Sequence, residues 1–302
     1  MFPPVTRPTP QIKASRLAEA LGLPTELYLK REDLHPYGSH KGRSIPLMIE
    51  KHAKEGWLDF VISSSGNAAL AAAYHIKNHN SQPIKLKIFI GEKIDRAKMK
   101  ILTDLAGPNI ELRQVKNPRQ SAFQADKAGT AKLLRQSTDD SALSGYFELA
   151  KELSAVKNLS AIFVPTSSGA AAQGLYEGFK KIGACPQIHI VQTSTCHPIA
   201  SAAEAKRLPL PDSAKKDEVS LAGAIVDRIA RRKEAVVNAI KKSNGSGWIA
   251  TNAEILSAIK LFKQTTGIEI SANSALSVAG LRQALSAGWE FGGPVVCLVT
   301  GR

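Results

Sequence analysis

Short apolar runs recur along the chain at residues 26–29, 60–62, 86–90, 161–164, 188–191 and 295–299. Each is too short for a helix, and several are rich in Val, Ile and Phe, the signature of strands buried on both faces. Between them, residues 66–77, 96–106, 169–182, 253–265 and 274–287 are rich in Ala, Leu and Lys and predict helices. Alternating strand and helix predicts an α/β fold of parallel-rich sheets flanked by helices. Ligands in such folds sit beyond the carboxyl ends of the strands, and the unusual residues of this chain fall there. No repeat of fixed period and no linker-like tract interrupts the pattern.

Composition narrows the class. A chain of 302 residues accommodates one or two packed units. With 43% hydrophobic and 22% charged residues it is neither disordered nor fibrous. The three cysteines, Cys185, Cys196 and Cys297, are odd in number and form no CxxC pair, which points to neither a disulfide framework nor a zinc site, and no metal is expected. The opening residues lack a secretory pattern and no apolar stretch approaches 18 residues, so a soluble protein of a reducing cytoplasm, with no membrane partner, is expected. The net charge of +14 raises the question of nucleic acid. The basic residues are scattered, however, without aromatic interleaving. Their densest cluster, Arg228 to Lys233, includes Ile229 and Ala230 at helix-like spacing. A solvated basic surface is the expectation, with no nucleic-acid partner, and the charge can attract anionic substrates.

Four segments carry candidate chemistry. The stretch from Leu29 to Ser44 is dense in charge and places Pro36 and Gly38 just before Lys41, so turn chemistry precedes that lysine. Alone, Lys41 also reads as a solvated lysine at a helix start. In the second segment a strand runs into Ser63, Ser64, Ser65, Gly66 and Asn67 before an alanine-rich helix. Free N–H groups at that helix N-terminus suit a carboxylate, and N-capping by Ser64 or Ser65 is the alternative. The third segment repeats the design with Thr166, Ser167, Ser168, Gly169 and Ala170. Small side chains let backbone approach a phosphate and serine hydroxyls can donate, although a tight strand-to-helix turn needs the same residues. It is neither a Walker loop nor GxGxxG. The fourth is the terminal strand, which ends in Thr300 and Gly301.

Together, Lys41 within Gly38-Ser39-His40-Lys41-Gly42-Arg43, Ser64-Ser65-Gly66-Asn67, Ser167-Ser168-Gly169 and Thr300-Gly301 stand in the order and approximate spacing of the fold-type II pyridoxal-phosphate enzymes. From Pro8 to Gly301 the chain resembles this tryptophan synthase β family. Within it the chain is most similar to the threonine synthase group, through residues 191–199 and 274–281.

The resemblance implies a two-domain architecture, with residues 44–145 a small domain inserted into a larger one made of 1–43 and 146–302. It places the cofactor, pyridoxal 5'-phosphate, in the cleft between them, and it implies a homodimer acting on a small amino-acid substrate. Lys41 is the implied Schiff-base lysine and general base and acid. Asn67 is implied to hydrogen-bond the cofactor's phenolic oxygen, and Ser64, Ser65 and Gly66 to receive the substrate carboxylate. Ser167, Ser168, Gly169 and Ala170 are implied to hold the cofactor phosphate, while Thr300 faces the pyridine nitrogen.

Each role has a physical reason. A lysine amine needs burial or neighbouring cations to lower its pKa from about 10.4 before it attacks an aldehyde, and Arg43 and His40 are candidate cations. A neutral threonine hydroxyl does not strongly favour a pyridinium, which suits elimination and replacement better than transamination. The chain also departs from the family pattern. Its phosphate turn is poor in glycine, Ser271-Ala272-Asn273 stands where many relatives have Glu-Pro, and residues 138–146 lack the Asn and Arg common in threonine synthases. The expected reaction is threonine synthase-like, from O-phosphohomoserine to threonine and phosphate. A serine or threonine dehydratase (ammonia-lyase), a β-replacement synthase, and a noncatalytic anion-binding or regulatory homologue are the alternatives.

Overall fold

The computed structural model of the chain describes residues 8–78, 83–92, 94, 96–203 and 219–301. It divides into two compact units, one comprising His35–Gly145 and the other Pro8–Leu34 with Tyr146–Arg302. The division begins the smaller unit at His35 and so includes Lys41 in it, whereas residues 1–43 were expected in the larger one.

The larger unit opens with β1 (Gln11–Lys13), α1 (Ser15–Leu21) and β2 (Leu27–Arg31). The smaller unit contains α2 (Ile45–Lys54), β3 (Asp59–Ser63), α3 (Asn67–Asn78), β4 (Lys85–Gly91), α4 (Arg96–Leu105), β5 (Ile110–Val115), α5 (Pro118–Lys127) and β6 (Lys132–Leu133). Its four-stranded sheet runs β5-β4-β3-β6, with every pairing parallel. Phe60, Ile62, Leu86, Ile88 and Ile110 bury one face against α2, α3 and α4. Val61 and Phe89 turn the other way and meet Ala122 and Ala125 of α5. Strands buried on both faces read as continuous apolar runs, which is why β3 stands out in the sequence, whereas in β4 the partly exposed Lys87 interrupts the run.

The chain returns through α6 (Ser144–Leu153) and β7 (Ala161–Pro165), then α7 (Ala170–Lys181), β8 (Gln187–Thr193), α8 (Pro198–Ala202), α9 (Lys233–Lys242), β9 (Gly247–Ala250), α10 (Asn252–Thr266), α11 (Ala272–Ser286) and β10 (Val295–Val299). The six-stranded sheet has the order β1-β2-β10-β7-β8-β9, parallel except for β1. Val295, Cys297, Val299, Phe163 and Val191 pack on α1, α10 and α11. On the opposite face α8 covers Gly247, where an added Cβ would lie 2.8 Å from Ala200 Cα. Lys30 is buried in this unit and its Nζ donates to Glu152 Oε2 at 2.6 Å and to the Thr9 carbonyl at 2.8 Å. The pairing compensates a charge that burial would otherwise make costly.

The basic segment Arg228 to Lys233 is not helical throughout. Ala230 has φ 44, so the chain turns there, and α9 starts only at Lys233. No helix among the described residues is long and apolar enough to cross a membrane.

Candidate active site

Lys41 lies in a 3-10 turn, His40–Arg43, that follows β2 and the Pro36–Gly38 bend. Ser39 caps the turn by accepting the Lys41 N–H on its Oγ at 3.3 Å. Gly42 has to be glycine, because a Cβ there would come within 2.2 Å of the buried His35 ring and 3.0 Å of Tyr37 Cβ. The turn therefore lies flat on His35, which sets where the lysine side chain leaves the backbone. Its Nζ donates to Gln136 Oε1 at 2.6 Å, while the Gln136 amide N–H donates to Ser44 Oγ.

Burial lowers the Lys41 pKa to about 8. Arg43 and His40 are not the cause, since desolvation alone accounts for the shift. A buried amine loses the water that stabilises its charged form, and no cation is needed for that. At pH 7 roughly one such amine in ten is unprotonated, against roughly one in three thousand at the ordinary lysine value. That raises the supply of nucleophile by a factor on the order of hundreds.

Ser64, Ser65 and Gly66 form the bend between β3 and α3, and Asn67 is the first residue of the helix. Ser64 Oγ accepts the Gly66 N–H at 3.2 Å, so this serine shapes the bend itself. The second strand at that edge is β6, which pairs parallel with β3 through Phe60 with Lys132 and Val61 with Leu133. Gln136 follows shortly after β6. The Lys41 amine and the Ser64–Asn67 bend are thus gathered at the carboxyl edge of one strand pair, within one unit.

In the larger unit, Thr166, Ser167, Ser168 and Gly169 join β7 to α7, with Ala170 opening the helix. Gly169 is the N-cap of α7 and brings no side chain to the first-turn N–H groups, an arrangement that favours an anion there. Gly169, at φ 93, takes a conformation that disfavours side chains, and an added Cβ would lie 2.6 Å from Val236 Cγ2. Ser167 Oγ accepts the N–H groups of Val226 at 3.2 Å and Asp227 at 3.3 Å, which leaves its own proton to donate. Thr300 directly follows β10, beside β7. The register that pairs Val295 with Ala161 and Cys297 with Phe163 brings Thr300 level with Thr166. Thr300 is buried, its Oγ1 3.4 Å from Ser274 Oγ, and Ser274 donates to the Gly301 carbonyl at 2.8 Å.

The family profile for pyridoxal-phosphate dependent enzymes matches residues 3–301 of this chain. The chain belongs to the pyridoxal-phosphate dependent enzymes. This enzyme is 27% identical over 310 residues to the threonine synthase of Methanosarcina acetivorans, across 97% of this chain and 74% of that one. A stretch of 66 residues, 22% of this chain and 20% of the other, is 41% identical to a human serine dehydratase-like protein. Among solved structures, the processed threonine deaminase isoform 2 of Solanum lycopersicum superposes with a TM-score of 0.78 at 20% identity, over 98% of this chain and 84% of that one. An L-serine ammonia-lyase from Rhizomucor miehei does so with a TM-score of 0.78 at 17% identity, over 98% and 93%. These likenesses establish the α/β fold of the fold-type II enzymes.

Pyridoxal 5'-phosphate is the cofactor of this family, and the residues present fit it. A buried amine of low proton affinity suits an aldehyde, and an uncapped helix start behind a glycine with no room for a Cβ suits a phosphate. Among the described residues no cluster of His, Cys, Asp and Glu could hold a metal ion. Sequence reasoning assigned no role to the side chains that support these groups. They are Gln136 and Ser44 at the lysine, Ser274 at Thr300, and Arg232, whose Nη1 donates to Gln173 Oε1 at 3.0 Å beside the start of α7.

Proposed function

We propose that the enzyme catalyses a threonine synthase-like elimination and replacement, in which O-phosphohomoserine and water become threonine and phosphate. One observation carries this reading: a lysine amine of lowered proton affinity is held at the strand edge where the Ser64–Asn67 bend opens, in a chain aligned over 97% of its length with a threonine synthase. Ser64, Ser65 and Gly66 hold the substrate carboxylate at the start of α3. Lys41 Nζ carries the cofactor in the resting enzyme, then takes the substrate α-proton and returns protons later, as a general base and acid. Bound pyridoxal phosphate supplies the electron sink for the charge left when that proton departs. Asn67 hydrogen-bonds the cofactor's phenolic oxygen. Ser167, Ser168, Gly169 and Ala170 hold its phosphate, and the neutral Thr300 hydroxyl faces its ring nitrogen. With no carboxylate at that position, ring protonation is not enforced, which favours elimination over transamination.

A serine or threonine dehydratase is the second reading, favoured by the 41% identity over 66 residues to the serine dehydratase-like protein. The test compares phosphate released from O-phosphohomoserine with keto acid formed from threonine and serine. Threonine and phosphate in equal amounts are expected from the first substrate. Rapid keto acid formation with no phosphate release would refute the leading reading. Lys41→Ala is expected to abolish turnover and the visible band of the cofactor-loaded protein together, and a variant that retains both would remove Lys41 from this role.

A further inference from the structure

Gln136 lies 95 residues from Lys41 in sequence, yet it is buried and its Oε1 accepts the Lys41 amine at 2.6 Å. The amide has only one workable orientation. An ammonium can only donate, so the oxygen must face Lys41, and the nitrogen then donates to Ser44 Oγ, whose own hydroxyl reaches the Lys41 carbonyl at 3.4 Å. Lys41, Gln136 and Ser44 close a ring of contacts within one unit. We propose that Gln136 is a positioning residue: its amide, oriented by Ser44, holds the Lys41 amine on a neutral acceptor at the strand edge beside the Ser64–Asn67 bend. The inference rests on the reading of Lys41 as the cofactor-bearing lysine.

Neutrality is the point of the choice. A carboxylate at that distance would stabilise the ammonium, whereas an apolar side chain would leave the amine unaimed. The charged and titratable groups around Lys41 do not replace this control. His40 and Arg43 share its turn. The neighbouring helices contribute Glu50, Lys51, His52 and Lys54 from α2, and Tyr74, His75 and Lys77 from α3. None of them contributes to the lowered proton affinity of Lys41, which burial alone produces.

The test uses the full chain freed of cofactor and follows condensation with added pyridoxal 5'-phosphate in cyanoborohydride between pH 6 and 10. The neutral amine attacks the aldehyde carbon and water leaves as the C=N bond forms. Hydride from the reductant and a proton from solvent then convert that bond to a stable secondary amine, which peptide mass mapping locates. In the wild type the adduct is expected on Lys41, with its rate following the neutral amine. Gln136→Glu is expected to move the pH midpoint upward, and trapping at pH 7 slows about tenfold for every pH unit that the midpoint climbs. Gln136→Leu is expected not to raise the midpoint but to lower the high-pH plateau several-fold. Ser44→Ala, which frees the amide to turn, is expected to lower the plateau as well and serves where Gln136→Glu does not fold. An unmoved midpoint in Gln136→Glu, or wild-type plateaus in Gln136→Leu and Ser44→Ala, would overturn the positioning role while leaving Lys41 in place. Adducts spread over other lysines, with none on Lys41, would overturn the Lys41 reading and this inference with it.

Discussion

Gly169→Ala tests whether the β7–α7 turn is shaped for an anion. The new Cβ would sit 2.6 Å from Val236 Cγ2 and 3.4 Å from Ile199 Cδ1. Carbon atoms pack at about 3.5 Å or more, so roughly 0.9 Å of movement is needed, and fully buried Val236 on α9 has little room to give it. The turn has to move instead. Its φ of 93 adds about 1 kcal/mol of backbone cost for a side-chain-bearing residue, and overpacking adds about 1–3 kcal/mol, for a total loss of about 2–4 kcal/mol. A displacement of that size stretches a hydrogen bond of about 2.9 Å past the limit at which it counts as one. Losing one charge-assisted bond to a phosphate costs about 1.5–3 kcal/mol, or roughly 10- to 100-fold in cofactor affinity. Urea unfolding of the cofactor-free chain reads the stability loss, and absorbance titration with pyridoxal 5'-phosphate reads the affinity loss. Adding Val236→Ala removes the clash but not the backbone cost, so it is expected to recover most of the affinity and leave about 1 kcal/mol of the Gly169→Ala penalty. Wild-type cofactor affinity in Gly169→Ala, or no rescue by Val236→Ala, would refute the assignment of this turn to the phosphate.

His189 is buried against Phe163, accepts the Trp248 indole N–H on Nδ1 at 3.0 Å and donates from Nε2 to Gln187 Oε1, so burial holds its pKa down to about 3. The unfolded chain binds this proton near pH 6.5 and the folded one only near 3, so stability is full above pH 6.5 and falls by about 1.4 kcal/mol per pH unit as pH drops through that window. Urea unfolding of wild type and His189→Phe between pH 7 and 4 should show the variant with the shallower decline, and parallel declines would contradict the buried neutral histidine. Arg232→Gln, which removes a guanidinium bonded to Gln173 beside Gly169, is expected to weaken pyridoxal 5'-phosphate binding about tenfold and leave pyridoxal binding unchanged. Equal losses for both ligands would show that Arg232 does not sense the phosphate.

The strands most legible in the sequence are those that the fold buries on both sides. Residues 60–62, 161–164 and 295–299 appear as apolar runs because Phe60 and Val61, Phe163 and Val164, and Cys297 and Leu298 each point to opposite, equally covered faces. β5 was illegible for the opposite reason. It is an edge strand, and Ile110 and Leu112 alternate with Glu111 and Arg113, where Glu111 pairs with both Arg113 and Lys87 at the surface. The two residues of β6 carry no pattern at all, and the strand exists because β3 offers it a partner. At Arg228 to Lys233 the helical spacing misled. Asp227 Oδ1 accepts the Ala230 N–H at 3.1 Å, and that local bond closes a turn where helix propensity alone would have extended α9.

The candidate site divides along the same line. Ser64 to Asn67, Ser167 to Ala170 and Thr300 could be read because each marks the place where a strand stops, and the end of a strand is a local property of the chain. What sets the reactivity of Lys41 is not local. Its own neighbours in sequence, His40 and Arg43, are cations and looked like the cause of a low pKa, yet burial is what lowers it. The side chain that accepts the amine's hydrogen bond arrives from beyond β6. A glutamine in the polar run Arg135 to Ser141 carries no signal until β3 and β6 pair and bring it 2.6 Å from the lysine. In the role proposed for Lys41, a carboxylate there would have looked more like a catalytic residue and served worse, since it would stabilise the ammonium.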